Sequence, residues 1–129
     1  MSIRLIVSDV DGTILPRGGV LSERTRAAVR ACEDAGVPFV ISSGRWYIAA
    51  KKIADELNLE KGYMIISNGG AIVHMDGTPL MQWFMPESEA RRAYDIMRKY
   101  DVMINSFVPN AVYRVNTQVM NHRMRGLDG

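Results

Sequence analysis

The apolar run Ile3-Arg4-Leu5-Ile6-Val7 ends in Ser8-Asp9-Val10-Asp11-Gly12-Thr13, and no other stretch constrains the fold as strongly. A short, dense apolar run suits a strand buried in a parallel sheet, and the turn residues after it bring the chain to the sheet's carboxyl edge. Residues two apart on an extended segment point the same way, so Asp9 and Asp11 converge on one small volume there. Open α/β sheets bind ligands at that edge. Two like charges held together repel unless a cation lies nearby, and an all-oxygen set suits Mg²⁺. A carboxylate nucleophile beside a divalent cation is the equipment for phosphoryl transfer through an aspartyl-phosphate. The plainer reading is a pair of turn carboxylates, one capping the next helix, because Asp and Gly are ordinary turn residues.

The chain then alternates between helical and strand patterns. Ser22 is a suitable N-cap for a helix whose apolar positions are Ala28, Val29, Cys32 and Ala35, and Gly36 ends it. Val37 to Ile41 reads as a second strand, and Ser42-Ser43-Gly44-Arg45 turns into a helix with Ala49, Ile53 and Leu57 on one face. Tyr63 to Ile66 reads as a third strand, closing at Ser67-Asn68-Gly69-Gly70. Strands separated by helices predict a parallel sheet with right-handed crossovers, here with the first strand in the middle. Beyond it, Ala71 to His74 and Leu80 to Phe84 flank Met75-Asp76-Gly77-Thr78, a hairpin signal. Pro86, with Glu87 and Glu89 behind it, opens a helix to about Tyr100, and Val102 to Val108 and Ala111 to Val115 read as strands around Pro109-Asn110. The expected class is α/β, with a partial Rossmann-like parallel sheet over 1–84 and the beginning of a separate α+β unit over 85–129.

Composition narrows the function classes. At 129 residues the chain has the length of one domain, and every apolar run is too short or too interrupted to span a membrane. The apolar strand pattern begins at Ile3, so no signal peptide is expected. The single cysteine, Cys32, cannot close an internal disulfide, so a cytoplasmic location is expected, with Cys32 as a small buried side chain. A net charge of +2 is too weak to imply nucleic acid, and His122, Arg123 and Arg125 read as a solvated face. His74 and His122 share no metal-ligand spacing, and the nine methionines scatter as gap-fillers.

The expected strand ends carry Asp9 to Thr13, then Ser42 to Arg45, then Asn68 to Gly70. A hydroxyl and a glycine amide at the start of a helix form a phosphate cradle, although the same turn also serves as a plain N-cap. Taken together these segments resemble the haloacid dehalogenase-like phosphatase superfamily, in particular its Cof-type branch, which includes sugar-phosphate phosphatases. The resemblance implies a Mg²⁺-dependent enzyme acting on a small phosphorylated metabolite. It implies Asp9 as nucleophile, Asp11 as general acid and base, and Asp9 with the Asp11 backbone carbonyl as metal ligands. It further implies phosphate contacts from Ser43, Gly44 and the backbone from Val10 to Gly12, substrate contacts from Arg45 and Asn68, and a substrate-selecting cap beginning near Pro86.

The resemblance covers the N-terminal half of the family pattern. The family's phosphate-neutralising Lys and its later acidic metal motif find no match, since Lys51, Lys52, Lys61 and Lys99 stand elsewhere and Asp128-Gly129 is the terminus. Without those charges the chain by itself is expected to be slower by a factor on the order of 10³. A non-catalytic fragment that binds phosphate or metal weakly, and associates with a partner or itself through exposed sheet or cap edges, remains the alternative. A phospho-accepting signalling domain would need an acceptor Asp on the third strand, where Ser67-Asn68-Gly69 stands instead.

Overall fold

A computed structural model of the chain describes residues 2–100, 102–108 and 111–115. Three strands, β1 (Ile6–Ser8), β2 (Phe39–Ser42) and β3 (Tyr63–Ile66), run parallel in adjacent positions. The helices α1 (Glu23–Asp34) and α2 (Tyr47–Glu56) connect them. The strands β4 (Ala71–His74) and β5 (Pro79–Gln82) add an antiparallel hairpin, giving one five-stranded sheet in the order β1-β2-β3-β4-β5.

Both helices end by the same local chemistry. Ser22 Oγ accepts from the Thr25 N–H at 3.1 Å, and Glu23 places a negative charge in the first turn of α1. At its other end Gly36 takes φ of 72°, while the Gly36 and Val37 N–H groups donate to the Glu33 and Cys32 carbonyls. This double bond pattern with a left-handed residue is a Schellman stop. α2 ends likewise with Asn58 at φ of 58°, and the Asn58 and Leu59 N–H groups reach Asp55 and Ala54. Each stop feeds the chain toward the next strand, and buried Leu59 anchors the second one.

The core lies on the sheet, with Val10, Ile41 and Met64 sealed from solvent and Val29, Ile53, Ala54 and Val73 packed around them. α1 packs against β2, and α2 packs against β3. Two expectations change here. Among the described residues β2, not β1, lies between the other two parallel strands, and β1 stands at the end of the strand order with Val7 still 50% exposed. α1 therefore lies near that end of the sheet, where Val29 is buried, Cys32 is half-buried, and Ala28 and Ala35 are exposed. On α2 the buried positions are Ala50, Ile53 and Ala54, with Ala49 only half-buried.

The chain divides into two compact units, Met1–Trp83 and Phe84–Gly129. The second contains α3 (Glu87–Met97), which starts after Pro86 with Glu87 and Glu89 in its first turn, and the antiparallel pair β6 (Ile104–Val108) and β7 (Ala111–Val115). Pro109-Asn110 and the basic residues His122, Arg123 and Arg125 lie outside the described residues. Among the described residues no helix is long and apolar enough to cross a membrane.

Ile41 is fully buried at the centre of the parallel strands, so Ile41→Ala removes apolar contacts on all sides. A loss of about 2–5 kcal/mol in unfolding free energy is expected in urea titrations, with the slope of the transition unchanged.

Candidate active site

The parallel pairing brings the carboxyl ends of β1, β2 and β3 side by side, with Ser8 opposite Ile41 and Ser42 opposite Ile65. Each end opens into a short segment that carries polar groups, and hydrogen bonds join the segments.

After β1, Val10 is buried and pins the loop, while Asp9 and Asp11 on either side of it are exposed. The Val10 carbonyl accepts from the Thr13 and Leu15 N–H groups at 3.2 and 2.9 Å. Gly12, at φ of 86°, turns back so that its own N–H donates to the Leu15 carbonyl at 2.8 Å. That bond gives the Gly12 amide an acceptor within the loop. Thr13 Oγ1 donates to Asp9 Oδ2 at 3.2 Å and holds the carboxylate that leads the motif.

After β2, Ser43 is 5% exposed and is the one buried polar residue among those described. Its N–H donates to the Ile65 carbonyl, its carbonyl accepts from the Asn68 N–H, and its Oγ accepts from the Arg45 N–H at 3.2 Å. A hydroxyl that accepts still has its proton to give to a ligand. The Asn68 amide lies close over Gly44, where a Cβ would sit 2.7 Å from Asn68 Oδ1, so a side chain at 44 would turn the exposed Asn68 side chain aside.

After β3, Ser67, Asn68 and Gly69 take φ values of 53°, 56° and 86°. Two of these are non-glycine residues in the left-handed region, a strained arrangement that neighbouring structure has to hold in place. The Ser67 N–H, donating to the Arg45 carbonyl at 2.8 Å, supplies part of that hold.

Arg45 also ties β2's end to β1's. Its Nε donates to Asp11 Oδ2 at 2.9 Å and its Nη2 to Asp11 Oδ1 at 2.7 Å, a two-bond fork. These bonds hold the Asp11 carboxyl below its ordinary value, partly opposed by burial, and push the Arg45 guanidinium up. The site thus gathers Asp9, Asp11, Ser43, Gly44, Arg45 and Asn68 at one sheet edge. Neither the Arg45–Asp11 fork nor the Thr13 hydroxyl holding Asp9 was foreseen. The spacing of Asp11 beyond Ser8 and Arg45 beyond Ile41, strand positions that pair directly, was the available signal for the fork.

For Mg²⁺ the donors suit in kind but are few. The Asp9 carboxylate and the Asp11 backbone carbonyl are hard oxygens, while the Asp11 carboxylate is committed to Arg45. Among the described residues no group of three or more His, Cys, Asp or Glu side chains could hold a metal ion.

The family model for haloacid dehalogenase-like hydrolases matches residues 6–126. The chain belongs to that family. Within the family it is similar to a 5-amino-6-(5-phospho-D-ribitylamino)uracil phosphatase of Bacillus subtilis, at 29% identity over 88% of this chain and 45% of the relative. It is also similar to an HMP-PP phosphatase of Yersinia pestis, at 35% identity over 64% of this chain and 30% of the relative. A crystal structure of a haloacid dehalogenase-like hydrolase from Bacteroides thetaiotaomicron shares the fold, with a TM-score of 0.79 at 22% identity over 95% of this chain and 48% of that one. The chain therefore spans less than half the length of these relatives.

Gly44→Ala is expected to change stability by no more than about 0.5 kcal/mol, because the new methyl meets only the far end of the exposed Asn68 side chain, which can turn aside. Thermal unfolding of the variant checks it, and a loss of several kcal/mol would show that the Asn68 amide is held in place.

Proposed function

We propose that this sheet edge is the phosphate end of a Mg²⁺-dependent phosphatase that hydrolyses small phosphate monoesters through an aspartyl-phosphate on Asp9. The observation that carries the reading is the joining of the strand-end segments around two carboxylates, a buried hydroxyl and a guanidinium. The phosphatase names of the relatives support the substrate class.

In this reading an Asp9 Oδ attacks phosphorus as the ester P–O bond breaks. The leaving oxygen takes the proton of the Asp11 carboxyl and departs as the alcohol, leaving Asp11 as a carboxylate. Water then attacks the phosphorus of the acyl phosphate, gives a proton to Asp11, and releases inorganic phosphate with the Asp9 carboxylate restored. Ser43 Oγ and the Gly44 N–H hold non-bridging oxygens, where charge is spread in the transition state. The Asn68 N–H braces the Ser43 carbonyl, and the Asn68 side chain stands as a substrate contact with Arg45. Thr13 keeps Asp9 aimed by donating to one oxygen and leaving the other to react. Mg²⁺ held by the Asp9 carboxylate and the Asp11 carbonyl would neutralise phosphate charge, with waters completing its shell. The unit from Phe84 onward serves as the beginning of the cap that selects the substrate.

A phosphate-binding chain without turnover is the second reading, favoured by the small number of metal donors among the described residues. Release of inorganic phosphate from p-nitrophenyl phosphate in excess Mg²⁺ separates the two. Slow turnover that Asp9→Asn abolishes is expected. Turnover unchanged by Asp9→Asn would remove Asp9 as nucleophile, and no turnover above that variant would favour the second reading.

A further inference from the structure

The fork between Arg45 and Asp11 sits awkwardly with the chemistry assigned to Asp11. Both Asp11 oxygens accept from one guanidinium, so the carboxyl faces Arg45 rather than an ester held at Ser43. The partners are also open to water, with 29% of the Arg45 side chain and 57% of the Asp11 side chain exposed. An ion pair so exposed contributes little stability, so its exchange for another anion costs little. Phosphate is a strong competitor, because it offers the same two-oxygen edge to a guanidinium and carries more charge than a carboxylate. Arg45 also hangs from the turn that presents Ser43 Oγ, since its own N–H donates to that oxygen.

We propose that Arg45 is a positioning residue that changes partner: it holds Asp11 by both oxygens in the empty site, and an anion entering the Ser43–Gly44 turn draws the guanidinium away and frees the Asp11 carboxyl. The proposal rests on the phosphate reading of this edge and adds to it a coupling between occupancy and the placement of Asp11. Asp11 then turns toward the leaving oxygen only when a phosphate group is present. A lysine at position 45 would not serve, because an ammonium lacks the planar fork that grips both oxygens of either partner. The competing picture is a fixed strut, in which Arg45 joins the β1 and β2 ends identically in both states.

The test uses the 129-residue chain labelled with ¹⁵N and ¹³C, with inorganic phosphate added against sodium chloride at matched ionic strength. The resonances followed are the Arg45 side-chain Nε–H, the Asp11 carboxyl carbon and the Ser43 and Gly44 amides. Before addition, the Arg45 Nε–H should exchange slowly with water, and Asp11→Asn should abolish that protection. On addition, Ser43, Gly44, Asp11 and Arg45 should all shift with one common midpoint. In Arg45→Lys that midpoint should rise about tenfold, and the Asp11 carbon should cease to respond. Shifts at Ser43 and Gly44 with Asp11 and Arg45 unmoved would establish the strut and overturn the exchange. An Arg45 signal indifferent to Asp11→Asn would overturn the fork itself. No saturable shift at Ser43 or Gly44 would overturn the phosphate reading, a failure distinct from the other two.

Discussion

Parallel pairing is the constraint from which the rest of this structure follows. When β1, β2 and β3 run the same way, their carboxyl ends emerge together, and whatever each loop carries meets its neighbours. An antiparallel neighbour would send the Asp9–Asp11 loop and the Ser43–Arg45 turn to opposite ends of the sheet. The buried residues Ile41 and Met64 fix that pairing from within, since a register slip of one residue would turn each of them toward the other face, and buried Val10 pins the loop that follows β1. Position therefore comes from the core, and chemistry from the residues just past it.

The polar bonds at the strand ends act on a finer scale. Ser43 joins β2's end to β3 through backbone bonds in both directions, and its burial removes water as a competing partner. The Asn68 N–H, donating to the Ser43 carbonyl, ties the segment after β3 to the Ser43–Gly44 turn. The strained left-handed residues Ser67 and Asn68 are tolerated because the bonds to Arg45 and Ser43 over-determine them. Arg45 closes the arrangement by reaching across to Asp11.

Much of this was legible in the residues, and the exceptions have identifiable causes. Tyr63–Ile66 and Ala71–His74 fall where the apolar runs place them, and Ser22 caps α1 as its hydroxyl predicts. The place of β1 at the end of the strand order was not legible, because an apolar run shows how much burial a strand can use and not which neighbours supply it. Ala28 and Ala35 misled for the same reason, since small apolar residues fit helix surface and helix core equally. The Arg45–Asp11 fork lies across a separation of 34 residues, which no local pattern encodes until the strand register is known. The Gly12 bond to Leu15 was likewise not legible, because only the left-handed turn at Gly12 creates it.

The proposed phosphate site at the three strand ends stands or falls on where a phosphate-like anion binds. A crystal of the chain grown with tungstate, a heavy phosphate analogue, tests it through the anomalous signal of the metal atom. The account predicts one strong peak whose oxygens lie within hydrogen-bonding distance of Ser43 Oγ and the Gly44 N–H, on the Asp9 side of the sheet edge. Tungstate bound elsewhere with that edge empty, or Asp9 and Asp11 turned away from Ser43 around the bound anion, would contradict it.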